Sequence, residues 1–112
     1  MVIHIDYTKE TLLDIQFVNP NILISRQTPS EISNSKVKRL RKKIREQGFD
    51  ESKPIEVANI DGRLIILDGH HRVIAARQQR LLSIPIKVNQ VSAEEELQLL
   101  LEASEAALYN QY

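Results

Sequence analysis

The sequence predicts a protein of the α/β class, more narrowly α+β, with a small mixed sheet flanked by helices. Apolar stretches short enough for strands, such as Leu64–Leu67, alternate along the chain with stretches that repeat at helical spacing. The length of 112 residues suits one domain, and the hydrophobic share of 42% is ordinary for a globular protein. We therefore expect a single domain over residues 1–112, with a core at about 14–91 and a C-terminal helix over 93–109.

Composition excludes several functions and locations. The chain contains no cysteine, so disulfide bonds, zinc–thiolate sites and thiol chemistry are excluded. No apolar run approaches the length that crosses a membrane, and the first residues lack the pattern of a signal peptide. We therefore expect a cytoplasmic protein without a membrane partner. The formal net charge is zero, but the charges are distributed unevenly along the chain.

The first third of the chain is predicted to contain short elements. Val2–Ile5 alternates weakly and predicts a short edge strand, and Thr8–Leu13 is a candidate short helix. Asp14–Val18 alternates with period two, which is typical of a half-buried strand, and Asn19–Asn21 ends it with a proline. The polar segment Ser25–Ser33 also contains a proline and is predicted to be a loop.

The first strongly predicted helix covers residues 34–47 and is followed by Gly48, a typical residue after a helix C-terminus. One apolar stripe at helical spacing is expected to face the core: Val37, Leu40 and Ile44. The other faces carry seven basic residues: Lys36, Lys38, Arg39, Arg41, Lys42, Lys43 and Arg45. These cations form either an ordinary solvated helix surface or a contact surface for nucleic acid or another polyanion. The aromatic content of 4% gives little support to base stacking on single strands.

A hairpin and a strand–helix junction occupy the middle of the chain. Residues 55–60 and 63–67 are predicted strands on either side of the turn residues Asp61-Gly62. The carboxylate of Asp68 can accept hydrogen bonds from the free amides of a first helical turn. Asp68 is therefore the predicted N-cap of a helix that reaches about Leu81.

The elements that follow are a helix end, a strand and the final helix. Arg77 and Arg80 are expected to lie on the outward face of the helix after the junction. Ser83–Val88 predicts another strand, in which Pro85 indicates an edge or a strand start. A Ser-x-x-Glu capping box begins at Ser92. The predicted inward face of the final helix consists of Leu97, Leu100, Leu101, Ser104 and Leu108.

The strand–helix junction has the components of a phosphate site. Free N–H groups and the positive end of the helix dipole converge at a helix N-terminus, which stabilises an anion there. A glycine allows a ligand to approach the backbone, and an arginine adds a forked positive charge. The predicted phosphate-binding residues are Gly69, His70, His71 and Arg72, and the predicted catalytic residues are His71 and Asp68. Structural roles stay open for three of these residues. The glycine would make a tight turn, the arginine would form an ion pair with Asp68 or with an acidic helix, and His71 would make a purely structural contact.

No metal site made by protein ligands is expected. Adjacent residues on a helix point in different directions, and the sequence around Asp68-Gly69-His70-His71 has no His-x-x-x-His pattern or carboxylate cluster. A Mg²⁺ ion that arrives with a nucleotide is compatible with the junction, and Asp68 is then the candidate ligand.

Between about Ile15 and Glu105, the order of elements and the residues at their junctions resemble the ParB/sulfiredoxin superfamily. Phe17–Asn21 with Arg26 is similar to the first ParB box, and Lys53–Val57 resembles the Gln-Pro-Ile strand entry of the family. Ile84–Val88 is similar to the strand that follows the central box. That central box is the stretch Gly69-His70-His71-Arg72-Val73-Ile74-Ala75-Ala76, which aligns with Gly-Glu-Arg-Arg-x-Arg-Ala-Ala of ParB proteins. Because that ParB box holds the triphosphate of CTP, the resemblance implies a nucleoside triphosphate ligand with Mg²⁺.

The details of the boxes favour some branches of the superfamily over others. His70 stands where sulfiredoxins have their catalytic cysteine, so sulfiredoxin activity is not expected. Boxes like Asp-Gly-His-His-Arg are found in ParB-like free-serine kinases and in ParB-like nuclease domains. ParB proteins continue with Glu-Asn-x-Gln-Arg, whereas the aligned stretch here, 102–106, keeps only its first glutamate. A CTP-gated clamp is therefore not expected.

Three functional hypotheses follow. The first is a domain that binds nucleotide phosphate at Asp68–Arg72, with NTP hydrolysis or phosphoryl transfer as the chemistry if it is an enzyme. The second is a DNA-binding or ParB-like nuclease domain that uses the basic helix over 36–45. The third is a non-enzymatic interaction module in which this helix docks on an acidic surface, including the glutamate-rich last helix of another copy. The sequence does not choose between an enzyme and a binding module.

Overall fold

The computed structural model describes residues 15–109, which form four strands and three α-helices. In chain order these are β1 (Ile15–Val18), α1 (Asn34–Gln47), β2 (Ile55–Ile60), β3 (Arg63–Asp68), α2 (His70–Gln78), β4 (Ile84–Asn89) and α3 (Ala93–Tyr109). Two 3₁₀ turns, Pro20–Ile22 and Pro29–Glu31, lie in the segment between β1 and α1. The expected strand over Val2–Ile5 and helix over Thr8–Leu13 lie outside the described residues.

The strands form a mixed sheet in the order β1-β4-β2-β3, which confirms the predicted fold class. β1 pairs antiparallel with β4, β4 pairs parallel with β2, and β2 pairs antiparallel with β3. The β2–β3 turn is made by Asp61 and Gly62, whose φ angles of +52° and +86° are both positive. Positive φ at both central positions is what a two-residue type I′ hairpin requires.

Helices cover both faces of the sheet. Since successive residues of a strand point to opposite faces, neighbouring residues of β2 and β3 enter different clusters. Val57 and Ile66 pack in the cluster that includes residues of α2, whereas Ala58 and Ile65 pack with Leu99 of α3. This two-sided burial explains why the predicted strand around Leu64–Leu67 is continuously apolar.

The first helix is predicted correctly, including its ends. Ser33 is the N-cap of α1, and its side chain accepts a hydrogen bond from the Lys36 amide at 3.3 Å. Gly48 ends the helix with φ at +78°, and its amide donates to the Ile44 carbonyl at 2.8 Å. Val37 and Ile44 are buried and pack in the same cluster as residues of α2, so α1 lies against α2.

The second helix ends earlier than predicted and orients one arginine differently. It ends at Gln78, and Arg80 follows with φ at +55°, with its amide bonded to the Arg77 carbonyl at 3.0 Å. The next amide, that of Leu81, reaches back to the Ala76 carbonyl at 3.1 Å, which completes a Schellman C-cap. Arg77 is half-buried rather than outward, because its side chain donates to backbone carbonyls near the first 3₁₀ turn. Burial lowers the pKa of this guanidinium.

Of two predictions about strands, the one for Pro85 is confirmed in its second alternative, a strand start, and the one for β1 is partly wrong. Pro85 does lie near the start of β4, but β4 is an interior strand and not an edge. The proline is tolerated because the parallel pairing with β2 begins only at Ile86. β1 forms as expected but is not half-buried: Ile15 is 36% exposed and Phe17 is 56% exposed, since β1 is an edge strand.

The C-terminal helix turns a different side to the core than predicted. Its capping box forms as expected, with bonds of 3.2 Å in both directions between Ser92 and Glu95. Leu99 and Ala106 are buried, at 7% and 1% exposure, although neither was assigned to the inward face. Of the residues assigned to it, Leu100 is partly buried, whereas Leu97, Leu101, Ser104 and Leu108 are exposed. Apolar residues occur around most of α3, so their spacing alone does not decide which side meets the sheet. None of the helices over residues 15–109 is long and apolar enough to cross a membrane.

Candidate phosphate-binding site

The strand–helix junction is formed around one glycine. Gly69 is the N-cap of α2 with φ at +104°, and no side chain caps the helix. A Cβ on this residue would lie 2.6 Å from Ile55 Cδ1 and 3.0 Å from Arg72 Nη2, so the position requires glycine. The predicted capping role of Asp68 is wrong, because Asp68 is the last residue of β3 and pairs laterally with Glu56 of β2.

The uncapped first turn of α2 opens into a cleft. The first intrahelical bond runs from the Val73 amide to the Gly69 carbonyl at 3.0 Å, so the amides of residues 70–72 have no acceptor within the helix. The cleft has a volume of about 390 Å³. Its lining includes every predicted phosphate-binding and catalytic residue together with side chains from the preceding loop and α1: Arg26, Gln27, Lys36, Leu40, Leu67, Asp68, Gly69, His70, His71 and Arg72.

His70 is buried and neutral. It is 6% exposed, and its Nε2 accepts a hydrogen bond from the Arg26 backbone amide at 3.3 Å. Burial, followed by the charges of Arg26 and His71, lowers the pKa of His70 to about 4. Because Nε2 is the acceptor, the proton of the neutral ring is assigned to Nδ1. His70 therefore holds the loop at Arg26 against the start of α2.

His71 makes a second contact of the same kind with a different element. Its Nε2 accepts from the backbone amide of Ser33, the N-cap of α1, at 3.1 Å. Burial, helped by the charge of Lys36, lowers the pKa of His71. The two adjacent histidines thus connect the first turn of α2 to the preceding loop and to the start of α1.

Arg72 folds back over the glycine turn. Its Nη1 donates to the Lys53 carbonyl, and its Nη2 is the atom that a Cβ on Gly69 would approach. The alternative ion pair with Asp68 does not form; within residues 15–109 the ion pair that does form is between Arg26 and Glu102. Arg72 is therefore held in place by a neutral carbonyl.

Arg26 is a central residue of the site that the residue patterns alone did not single out. Its Nε and Nη2 donate to the carbonyls of Ile66 and Leu67 at 2.6 and 2.7 Å, and its Nη1 pairs with Glu102 at 3.0 Å. One side chain therefore joins the loop, the end of β3 and helix α3. The only sequence signals were the position of Arg26 after the first ParB-like box and that of Glu102 in the stretch aligned with Glu-Asn-x-Gln-Arg.

Six of the seven cations of α1 divide between two surfaces, and the seventh, Lys43, lies at neither. Lys36 lines the cleft, whereas five of the others border a shallow groove of about 240 Å³ farther along the helix: Lys38, Arg39, Arg41, Lys42 and Arg45. Arg41 is partly buried and donates to Gln78 at 2.9 Å. Over residues 15–109, none of the seven forms an ion pair.

The cleft contains few groups that bind metals. Across the part of the chain that the structure describes, no three His, Asp or Glu side chains converge on one point. Asp68 is the carboxylate that lines the cleft, so a Mg²⁺ ion there would need phosphate oxygens among its ligands. The Oε1 atom of Gln27 is buried without a hydrogen-bond partner among residues 15–109.

The sequence matches the ParB N-terminal domain family over residues 5–105. The chain belongs to this family. Among curated proteins, none matches the sequence significantly. The structure is similar to that of sulfiredoxin from Arabidopsis thaliana, with 26% identity, a TM-score of 0.62, and coverage of 77% of this chain and 96% of that one.

Two nucleotide complexes share the ParB N-terminal domain fold with this chain. ParB from Caulobacter crescentus, in complex with CTP-γ-S, is 22% identical with a TM-score of 0.58; the match covers 87% of this chain and 52% of that one. A free serine kinase in complex with AMP is 17% identical with a TM-score of 0.61, and the match covers 72% of this chain and 33% of the kinase. The chain therefore spans about half the length of this ParB chain and about a third of the length of the kinase.

Proposed function

We propose that this ParB-like domain binds the phosphate groups of a nucleotide in the cleft at the start of α2. One observation carries the proposal: an uncapped helix N-terminus opens into a cleft whose lining includes three cations, Arg26, Lys36 and Arg72. Helix amides and fixed guanidinium groups are the partners that phosphate oxygens find in proteins. The nucleotides in complex with ParB and with the serine kinase support the same assignment.

The three cations are not equivalent. Arg26 is already neutralised by Glu102 and anchored by two carbonyls, so it stabilises the cleft more than it adds charge. Lys36 is exposed, and Arg72 is bonded to a neutral carbonyl. Lys36 and Arg72 therefore supply the unpaired positive charge that an incoming phosphate meets.

We propose donor and acceptor roles for the two predicted catalytic residues. The Nε2 of neutral His71 is already bonded to Ser33, which leaves its Nδ1–H to donate to a phosphate oxygen. Asp68 is exposed at the same cleft and is the group that would bind Mg²⁺ or take a proton from an attacking hydroxyl or water. Nucleotide hydrolysis or phosphoryl transfer would then depend on positioning and charge neutralisation.

Calorimetric titration of ATP, CTP, GTP and ADP, with and without Mg²⁺, tests the binding proposal. Because a hydrogen bond to a charged group contributes about 1.5–3 kcal/mol, we expect Arg72→Ala and Lys36→Ala each to weaken binding by at least about tenfold. Lys38→Ala is the matched control, since it removes an exposed cation of the same helix outside the cleft. Absence of nucleotide binding, or unchanged affinity in Arg72→Ala, would show that the site is assigned wrongly. Phosphate release by wild type and Asp68→Asn then tests turnover.

The basic surface of α1 supports a second candidate function, nucleic-acid binding. Six of its seven cations are exposed, and none of the seven has an acidic partner among residues 15–109. Fluorescence anisotropy with a labelled DNA duplex should show binding that weakens steeply as salt increases. Lys38→Ala with Lys42→Ala should reduce both the affinity and the salt slope, whereas Lys87→Ala, an exposed cation on β4, should change neither. Plasmid nicking in the presence of Mg²⁺ tests the nuclease alternative. Absent or salt-insensitive binding to DNA would rule out both nucleic-acid binding and nuclease activity.

A further inference from the structure

Helix α3 exposes a stripe of leucines that no residue over 15–109 covers. Leu97, Leu101 and Leu108 are 61%, 59% and 64% exposed, while Leu99 on the opposite side is 7% exposed. At about 100° per residue, the three exposed leucines fall within about 40° of one another around the helix. Exposed apolar stripes are unfavourable in water and are typical of contact surfaces. We call these three residues the leucine stripe.

The surroundings of the leucine stripe are acidic. α3 carries five glutamates and no lysine or arginine: Glu94, Glu95, Glu96, Glu102 and Glu105. Glu102 is paired with Arg26, but Glu94 and Glu105 are exposed. At helical spacing, these two exposed glutamates lie about 60–80° around the helix from Leu97, so they border the stripe on one side. Small residues, including Ser104, border the other side.

We propose that the leucine stripe binds an amphipathic helix of a partner protein whose apolar face is bordered by lysine or arginine. Leucines of the partner would cover the stripe, and its cations would lie against Glu94 and Glu105. Complementary charge of this kind orients a partner and suppresses partners of the wrong sign. The partner helix would lie along α3 and contact it through side chains about one helical turn apart.

A second copy of this chain fits the leucine stripe poorly. If its own α3 met the stripe, its Glu94 and Glu105 would lie close to the same acidic border, which is repulsive. Its α1 is basic, but the apolar residues Val37 and Ile44 of α1 are buried in their own core. α1 therefore has the right charge without an apolar face to cover the leucines.

The probe that tests this proposal is a labelled synthetic helical peptide with leucines one turn apart and lysine borders. Fluorescence anisotropy should show saturable one-to-one binding to the full chain, weaker at high salt. Leu97→Gln and Leu101→Gln should each weaken binding by about tenfold or more, since each removes a buried leucine contact. Leu82→Gln is the matched control because Leu82 is 86% exposed but lies outside α3. Circular dichroism checks that every variant is folded.

Three results would overturn the proposal. The first is absence of binding to the lysine-bordered peptide. The second is equal binding of a control peptide with the same leucines and glutamate borders, because the charge argument would then be wrong. The third is a dimer in analytical ultracentrifugation that Leu101→Gln abolishes, because the stripe would then bind a second copy. These outcomes are independent of whether the cleft at α2 binds a nucleotide.

Discussion

The buried His70 makes stability depend on pH in a way that can be isolated. Its pKa is lowered from an ordinary 6.5 to about 4, chiefly by burial and then by Arg26 and His71; Asp68 and Glu31 act in the opposite direction. Between these two pKa values the unfolded chain binds a proton that the folded chain does not. The stabilisation from neutral His70 is therefore complete above about pH 6.5 and is lost as pH falls towards 4.

The size of the effect follows from the two pKa values. Relative to pH 7, a shift from 6.5 to about 4 removes about 1 kcal/mol of the free energy of unfolding at pH 5.5. At pH 4.5 the loss is about 2.5 kcal/mol, which is a large fraction of the stability of a domain of this size.

Urea unfolding of wild type and His70→Asn at pH 7.0, 5.5 and 4.5 measures this loss. Asparagine cannot titrate, and its side-chain oxygen reaches only as far as the Nδ1 position of the histidine, so the Arg26 amide loses the Nε2 acceptor. The variant should be less stable at pH 7, but its free energy of unfolding should fall less on acidification than that of the wild type. The carboxylates titrate in both proteins, so the difference between the two pH dependences gives the contribution of His70 to the free energy of unfolding. Parallel curves for the two proteins would refute the assignment of His70 as a buried neutral acceptor.

Three substitutions, two of them compared with a matched control variant, test the backbone and the packing by chemical denaturation. Gly69→Ala should destabilise the domain by about 3 kcal/mol or more, because it adds a steric clash to the strain of positive φ. Gly62→Ala, also at positive φ but with no atom within 4 Å of the new Cβ, should cost about 1 kcal/mol, and equal losses would contradict the clash. Leu99→Ala should cost about 2–4 kcal/mol whereas Leu97→Ala costs less than about 0.5 kcal/mol; the reverse order would mean that α3 faces the other way. Arg80→Gly should stabilise the domain by about 0.5–1 kcal/mol because Arg80 has φ at +55°, and a loss of stability would show that its side chain matters more than its backbone.

The elements that the sequence predicted well are those with local signals at both ends. Helix α1 begins after the capping Ser33 and ends at Gly48, and both residues act through bonds within a few positions along the chain. The β2–β3 hairpin depends on Asp61-Gly62, whose backbone preference is local as well. The junction at Gly69–Arg72 was found because its glycine, its arginine and the following helix are contiguous in sequence.

The errors have a common cause. The capping role of Asp68, the outward position of Arg77 and the inward face of α3 each required knowledge of which distant segment lies opposite. Arg77 reaches carbonyls more than fifty residues earlier in the chain, and Arg26 pairs with Glu102 more than seventy residues later. No periodicity within a short window carries that information.

The sequence by itself determined the order of strands and helices, the glycine turn and the accumulation of positive charge on α1, because these depend on local backbone preferences and on residue type. Tertiary structure alone decided that Arg26 joins the cleft to α3. It also decided that His70 and His71 accept hydrogen bonds from backbone amides of other segments. It also decided that α3 presents its leucine stripe to solvent. Each of these contacts joins residues far apart in sequence, and which of several similar side chains makes the contact depends on how the helices pack against the two faces of the sheet.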